Sequence, residues 1–164
     1  MAHAKLSPSS AKRWMTCPGS VELSKDRPDE SSSFADEGTD AHELAARCLE
    51  SGKNANDFLG ETMGKGNVVG ADMAYNVQAY VDYVRNMASE IPGAQLLVEQ
   101  RLPIGHLTGE EGAKGTADVV ILGGEEIIVV DLKYGRGVAV EAEDNPQLQI
   151  YGLGAVREFG VLYD

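Results

Sequence analysis

The chain has 164 residues, of which 43% are hydrophobic and 24% charged, so it can form one globular domain with a hydrophobic core. Its net charge of -12 at pH 7 argues against a protein that coats nucleic acid by bulk electrostatic attraction. A local contact with nucleic acid stays compatible with this charge, because a bound metal ion inverts the field at a single site.

The sequence carries no signal for a membrane or for secretion. It has no run of about 18 apolar residues, so we expect no membrane span. The first residues, MAHAKLSPSSAKRW, lack the apolar segment of a secretory signal. Cys17 and Cys48 give no disulfide framework. These features together predict a cytoplasmic protein.

Helix signals dominate residues 1–93. Helices are predicted from Ser7, as a cap before Pro8, to about CPGS at 17–20, and then at 34–51 and 72–90. The polar stretch 25–33 is predicted to be a loop, and the glycine-rich segment 52–71 a long flexible connection.

Residues 94–164 contain short apolar runs of the length of β-strands, and this pattern predicts a sheet. Strands are predicted at 94–102, 116–122 and 126–133, with a weaker one at 137–142. Asn145 and Pro146 open a last helix to about Glu158, and the tail FGVLYD resembles the start of a further strand. Short links favour antiparallel neighbours, so we expect one α/β domain over 1–164, a mixed central β-sheet flanked by helices.

The loop between the second and third strands determines which residues face each other. GGEE at 123–126 predicts a hairpin with its two loop residues at 124–125. Counting back from this turn places Asp118 opposite Asp131, with Cβ atoms roughly 4.5–5.5 Å apart. Because side chains alternate along a strand, Lys133 shares the face of Asp131.

Two carboxylates and a lysine on one face have two explanations. Like charges directly opposite each other are destabilising unless a cation lies between them. Carboxylate oxygens suit Mg²⁺ or Mn²⁺, and Lys133 would then hold or deprotonate a metal-bound water, or balance a phosphate. The alternative is a solvated strand end in which Asp118 forms a salt bridge with Lys133, and the spacing alone does not decide between them.

Ordered motifs resemble the PD-(D/E)XK nuclease superfamily. They are GTAD at 115–118, DLK at 131–133 and QLQIY at 147–151, with EGTDAHELA at 37–45 further upstream. The branch they resemble is that of the RecB-like exonucleases, which includes CRISPR-associated nucleases and phage recombination proteins. SPSSAKRWMTCPGS at 7–20 is similar to the N-terminal segment of an uncharacterised phage family in that branch. The resemblance implies a restriction-endonuclease-like core.

The resemblance also implies the roles of individual residues. Asp118, Asp131 and the backbone carbonyl of Leu132 would be metal ligands, and His42 would complete the set. Lys133 would position or activate the attacking water. Taken alone, a single helix histidine is more often a surface or packing residue. Glu99 could approach the site from the neighbouring strand, although a surface position suits it better.

Gln147 and Tyr151 lie four residues apart and therefore share one face of the last helix. In the resembled family this pair borders the site and contacts DNA or orients active-site groups. The alternative is an amphipathic helix in which Tyr151 is an ordinary core residue. Arg101, Lys114 and Arg136 are basic candidates for phosphate contacts, although a solvated surface charge explains each of them better when it is considered singly.

The expected function is that of a metal-dependent deoxyribonuclease, an exonuclease by its branch, in phage or bacterial DNA recombination, repair or processing. A recombination or replication protein partner and homo-oligomerisation are left open. Only Cys17 matches the four-cysteine iron–sulfur pattern of some relatives, so a cluster is excluded. The ending at Asp164, before another expected strand, fits a fragment, a short form or a protomer completed by a partner.

Two other classes of function compete with this expectation. One is a non-catalytic module that keeps the nuclease fold and binds DNA or a partner, which the acidic balance favours. The other is an acidic scaffold in which Asp118, Asp131 and Lys133 form a surface salt-bridge set.

Overall fold

A computed structural model describes residues 4–25, 32–135 and 140–162 of the chain. The helices in these ranges are α1 (Ala11–Thr16), α2 (Gly19–Ser24), α3 (Ser33–Ser51), α4 (Ala71–Glu90), α5 (Gly105–Thr108) and α6 (Pro146–Phe159). The strands are β1 (Gln95–Pro103), β2 (Lys114–Gly123) and β3 (Glu126–Val130). Short 3₁₀ turns cover Pro8–Ser10, Ala55–Phe58 and Gly160–Leu162.

The three strands form one antiparallel sheet in the order β1–β2–β3, so the fold is α/β. Val119 and Ile121 of the central strand pack with Val84 of α4. Val120 and Leu122 pack in a cluster with α6 residues on the other side. The sheet is therefore covered by a helical layer on each face, as expected for a central strand that is continuously apolar from Val119 to Leu122.

The β2–β3 hairpin has the register predicted from its loop. Gly123 lies opposite Glu126, and the pairing continues to Val119 opposite Val130. Gly124 has a φ of 61°, which the first loop position of a type II′ turn requires. The next residues along the two strands are Asp118 and Asp131, so the hairpin delivers both carboxylates to one end of the sheet.

The long helices also agree with the sequence prediction. α3 is followed by Gly52 in the left-handed conformation, with a φ of 73°. α6 begins at Pro146, where the side chain of Asn145 accepts hydrogen bonds from the backbone N–H groups of Gln147 and Leu148. In the part of the chain that the structure describes, no helix is long and apolar enough to cross a bilayer.

The glycine-rich segment differs from its prediction. It contains the turn Ala55–Phe58 and a β-bridge between Thr62 and Val68, and it is not an open connection. Four of its side chains are buried against α3 and α4, namely Ala55, Phe58, Met63 and Val69. Apolar residues between the glycines therefore give this segment a core that glycine content alone does not predict.

The other differences concern short elements. The first helix ends at Thr16, directly before CPGS as predicted, whereas α2 and α5 were not predicted. Residues 140–142 form no strand, and 160–162 continue α6 as a 3₁₀ turn. Residues 136–139 and 163–164, and most of the predicted loop 25–33, lie outside the described residues. No parallel pair occurs among the described strands, so the sheet there is antiparallel and not mixed.

Candidate metal centre

His42 of α3 and Asp118 of β2 meet at the end of the hairpin. His42 Nδ1–H donates a hydrogen bond to Asp118 Oδ1 at 2.9 Å. The backbone N–H of Leu132 donates to the other carboxylate oxygen, Oδ2, at 2.6 Å. Asp118 is thus fixed from two sides, and its side chain is only 15% exposed. The structure thus places His42 beside Asp118, where the predicted role of His42 as a metal ligand requires it.

Asp131 is held by different partners. Its Oδ1 accepts a hydrogen bond from Gln147 Nε2 at 2.8 Å, and its Oδ2 is paired with Lys133 Nζ. The Asp131 side chain is 5% exposed, whereas that of Lys133 is 43% exposed. Lys133 is therefore the solvent-accessible member of the set, and Gln147 joins α6 to it, as the motif order predicts.

Glu99 of β1 completes the constellation. Val98 pairs with Val119 and Gln100 with Ala117, so Glu99 lies across from Asp118. One ligand atom each from His42, Glu99 and Asp118 lie within 4.8 Å of one another. No other such group of three or more His, Cys, Asp or Glu residues occurs among the described residues. Glu99 is exposed on its strand, as its expected surface position requires, and it also approaches the cluster, as the sequence left open.

The backbone of Glu99 is unusual. Its φ is 49°, in the left-handed region, while its neighbours on both sides keep the regular register with β2. A residue with a Cβ pays about 1–2 kcal/mol for this conformation. Strain of this kind persists only where the surrounding structure imposes it, and it occurs often at functional sites.

A narrow cleft lies among these side chains. His42, Tyr80, Glu99 and Asp118 line it together with apolar residues, and its volume of about 10 Å³ has room for one water or one ion. Tyr80 Oη is buried and has no hydrogen-bond partner among the described residues. A buried hydroxyl in this situation is costly, which indicates that a further polar group belongs in the cleft.

The electrostatics of the centre are those of crowded negative charge. Burial raises the pKa of Glu99, and the charge of Asp118 raises it further. Burial also raises the pKa of Asp131, against the opposing hydrogen bond from Lys133. Burial lowers the pKa of His42, but the hydrogen bond and charge of Asp118 outweigh it, so the net shift is upward. In all three groups the negative charge of Asp118 also raises the pKa, and a bound cation would offset this contribution.

The residues present fit a divalent cation. An octahedral Mg²⁺ with ligands at about 2.0–2.1 Å places neighbouring ligands about 3 Å apart. The 2.9 Å between His42 Nδ1 and Asp118 Oδ1 is the length of an ordinary hydrogen bond, so Nδ1 would have to release its proton before both atoms could bind one ion at this spacing. When His42 is neutral, the carboxylates of Glu99, Asp118 and Asp131 and the ammonium group of Lys133 have a net charge of two negative units. One divalent cation would balance this charge. The imidazole and carboxylate donors suit Mn²⁺ as well as Mg²⁺.

Tyr151 lies in the core, as expected if the last helix is amphipathic and Tyr151 belongs to its apolar face. It is 5% exposed, and a Cβ added at Gly115 would come within 2.9 Å of its ring. Burial raises the pKa of its hydroxyl to about 12, with a hydrogen bond to Gln147 acting in the opposite direction. Tyr151 thus packs under the GTAD motif and contacts the residue that holds Asp131.

Arg101 and Lys114 are not among the residues that line the narrow cleft. Arg101 and Lys114 are exposed on β1 and β2, and Lys114 lines a separate open cleft of about 460 Å³ with Arg157. Arg136 lies outside the described residues. Tyr80 was not singled out from the sequence, because its position on the apolar face of α4 is typical of a core residue.

The chain belongs to a protein family of unknown function, DUF2800, whose model matches residues 3–164. The residues of the candidate centre, from His42 to Gln147, all lie inside the matched range. The description of the family assigns it no activity. No solved structure matches the chain at a significant level.

Proposed function

We propose that this protein is a metal-dependent deoxyribonuclease with a restriction-endonuclease-like core, and that it hydrolyses DNA phosphodiester bonds. One observation carries the proposal: His42, Asp118, Asp131 and Lys133 come from three separate parts of the chain and meet at one end of the sheet. A surface salt-bridge set does not account for this arrangement, because Asp131 is buried and His42 bonds Asp118 across 76 positions of sequence.

The cation of this site would be Mg²⁺ or Mn²⁺. His42, Asp118 and Asp131 would hold it, with the backbone carbonyl of Leu132 as the further ligand that the resemblance implies. When bound, such an ion lowers the pKa of a coordinated water and offsets the charge that develops on the phosphate oxygens. The hydrogen bond from the Leu132 N–H keeps Asp118 in the orientation this role needs.

Lys133 and Gln147 prepare the site for a water molecule. The ammonium group of Lys133 is next to Asp131 and partly open to solvent, so it can donate a hydrogen bond to an attacking water or to a phosphate oxygen. Gln147 holds Asp131 Oδ1, which leaves that carboxylate one orientation. Tyr151 supports Gln147 from the core.

DNA is the proposed substrate in spite of the acidic composition. The cation and Lys133 supply the local positive charge, so contact with the backbone would be confined to the site and its rim. Arg101 and Lys114 are exposed and are candidates for that rim. The proposed setting is phage or bacterial DNA recombination, repair or processing in the cytoplasm, with a recombination or replication protein as a partner and homo-oligomerisation left open.

The decisive experiment is a cleavage assay on end-labelled linear and covalently closed circular DNA, with Mg²⁺, Mn²⁺ or EDTA. We expect metal-dependent cleavage that Lys133→Ala lowers at least 100-fold while Mn²⁺ affinity changes less than about threefold. Preference for linear DNA would identify an exonuclease. Glu125→Gln, at the exposed tip of the hairpin, is the matched control and should cleave at the wild-type rate.

The non-catalytic interpretation makes a different forecast for the same samples. Metal-dependent DNA binding without cleavage, in any combination of metal and DNA, would replace the nuclease by a binding module. If neither Mn²⁺ nor DNA binds the wild-type protein, the proposed function is wrong.

A further inference from the structure

We propose that Glu99 is an additional carboxylate ligand of the cation, bound through the face of the site that is formed by β1. This inference rests on the proposed function and deepens it, because the sequence motifs assign the ligands to α3, β2 and the end of β3 only. The proposed substrate stays the same, but β1 would contribute a ligand to the cation in addition to the ligands from the other elements.

The first support is position. Glu99 lies across from Asp118 in the β1–β2 register, and its carboxylate comes within 4.8 Å of ligand atoms of both His42 and Asp118. Asp131 does not belong to this group, and its two oxygens are paired with Lys133 and Gln147. The structure thus places the carboxylate of Glu99, and not that of Asp131, in a group with His42 and Asp118 that could share one ion.

The second support is the neighbouring hydroxyl. Tyr80 Oη has no partner among the residues the structure describes, and Tyr80 lines the same narrow cleft as His42, Glu99 and Asp118. A hydroxyl buried there needs an acceptor, and water coordinated to a cation between Glu99 and Asp118 would provide one. This observation is independent of the carboxylates and indicates a ligand in the same space.

The third support is the local backbone. Glu99 keeps a left-handed φ of 49° in the middle of a strand whose flanking pairs are regular. Asparagine or glycine would adopt this conformation with less strain, but neither can supply a carboxylate on a long side chain. A glutamate at this position is explained if its carboxylate has a task at the site.

The test is calorimetric titration of the full-length protein with MnCl₂ alone, without DNA. We expect Glu99→Gln to weaken Mn²⁺ binding by about 10- to 100-fold, because a neutral amide replaces one charged ligand of the centre. Glu125→Gln removes the same charge from the exposed hairpin tip and should bind Mn²⁺ like the wild type. Unfolding curves in EDTA verify that the two variants remain folded.

His42→Ala and Asp118→Asn separate this inference from the proposed function. If these two variants lose Mn²⁺ binding while Glu99→Gln binds as tightly as Glu125→Gln, Glu99 is not a ligand and the metal centre stands without it. If the wild-type protein itself takes up no Mn²⁺, the metal centre and the role of Glu99 are both overturned. Loss of binding in Glu99→Gln with a wild-type unfolding curve supports the ligand assignment.

Discussion

His42 and Asp118 are joined by a 2.9 Å hydrogen bond that links α3 to the central strand. The bond connects residues 76 positions apart, and it lies at the entrance to the cleft that Tyr80 and Glu99 also line. The chemistry of this pair differs with pH, because a protonated imidazole stabilises Asp118 but cannot bind a metal.

Metal affinity should therefore depend on the protonation of His42. The pKa of His42 lies above its ordinary value of 6.5, so its proton competes with the cation up to a pH above 6.5. We expect Mn²⁺ affinity to rise between pH 6 and pH 8, by up to about tenfold per pH unit below the folded pKa. Calorimetry at several pH values measures the Mn²⁺ affinity. If the affinity changes with pH equally in the wild type and in His42→Gln, the prediction is wrong.

Gln147 should matter more than its neighbour on the same helix. Gln147→Ala removes the donor to Asp131 Oδ1, whereas Gln149→Ala changes an exposed side chain of α6. We expect the first variant to lower the cleavage rate about 10- to 100-fold, and the second to leave it unchanged, because partners that orient a ligand have effects of this size. Single-turnover experiments measure the cleavage rates of both variants. If Gln147→Ala and Gln149→Ala cleave at equal rates, Gln147 has no role in the site.

Asp40 should be a structural anchor that is independent of the metal. It is fully buried in α3, and its carboxylate accepts hydrogen bonds from the backbone N–H groups of Lys65 and Asn67 and from the Asn67 side chain. Asp40→Asn should lower the free energy of unfolding by about 2–3 kcal/mol at pH 7, because an amide cannot replace a carboxylate toward three donors. Urea unfolding measures this, with exposed Glu50→Gln as the control within about 0.5 kcal/mol.

The pH dependence of this anchor has a definite sign. Burial tends to raise the pKa of Asp40, but the hydrogen bonds from Lys65 and Asn67 outweigh it and hold the pKa below its ordinary value of 3.8. A carboxylate whose pKa is lower in the folded state stabilises the fold fully when the pH is above its pKa in the unfolded state. This contribution is lost as the pH falls through its pKa in the folded state. The difference between wild type and Asp40→Asn should thus be constant from pH 7 to 5 and shrink below about 4. A difference that persists at pH 2 would argue against this account.

The strain at Glu99 predicts a reversed order of stability. At an ordinary strand position alanine is more stable than glycine by about 0.5–1 kcal/mol. At position 99 the left-handed φ should make Glu99→Gly more stable than Glu99→Ala by about 1 kcal/mol. Thermal and urea unfolding in EDTA compare the two, with Gln100→Gly and Gln100→Ala as the ordinary pair. If alanine is also the more stable residue at 99, the strand is regular there.

The sequence by itself determined the features that depend on neighbouring residues. Asn145 before Pro146 and Gly52 after Ser51 mark helix ends through local backbone chemistry. GGEE at 123–126 sets the β2–β3 register, because a two-residue loop leaves one pairing, and this brings Asp118 and Asp131 to the same end of the sheet.

Only the tertiary structure decided the contacts made across long separations. β1 and β2 are joined through α5, a connection without a tight turn, so the placement of Glu99 across from Asp118 depends on packing and not on loop length. The same holds for Asp40, whose three donors come from a segment that glycine content describes as open. Local propensity specifies where elements begin and end, whereas burial and hydrogen-bond satisfaction select which distant residues meet.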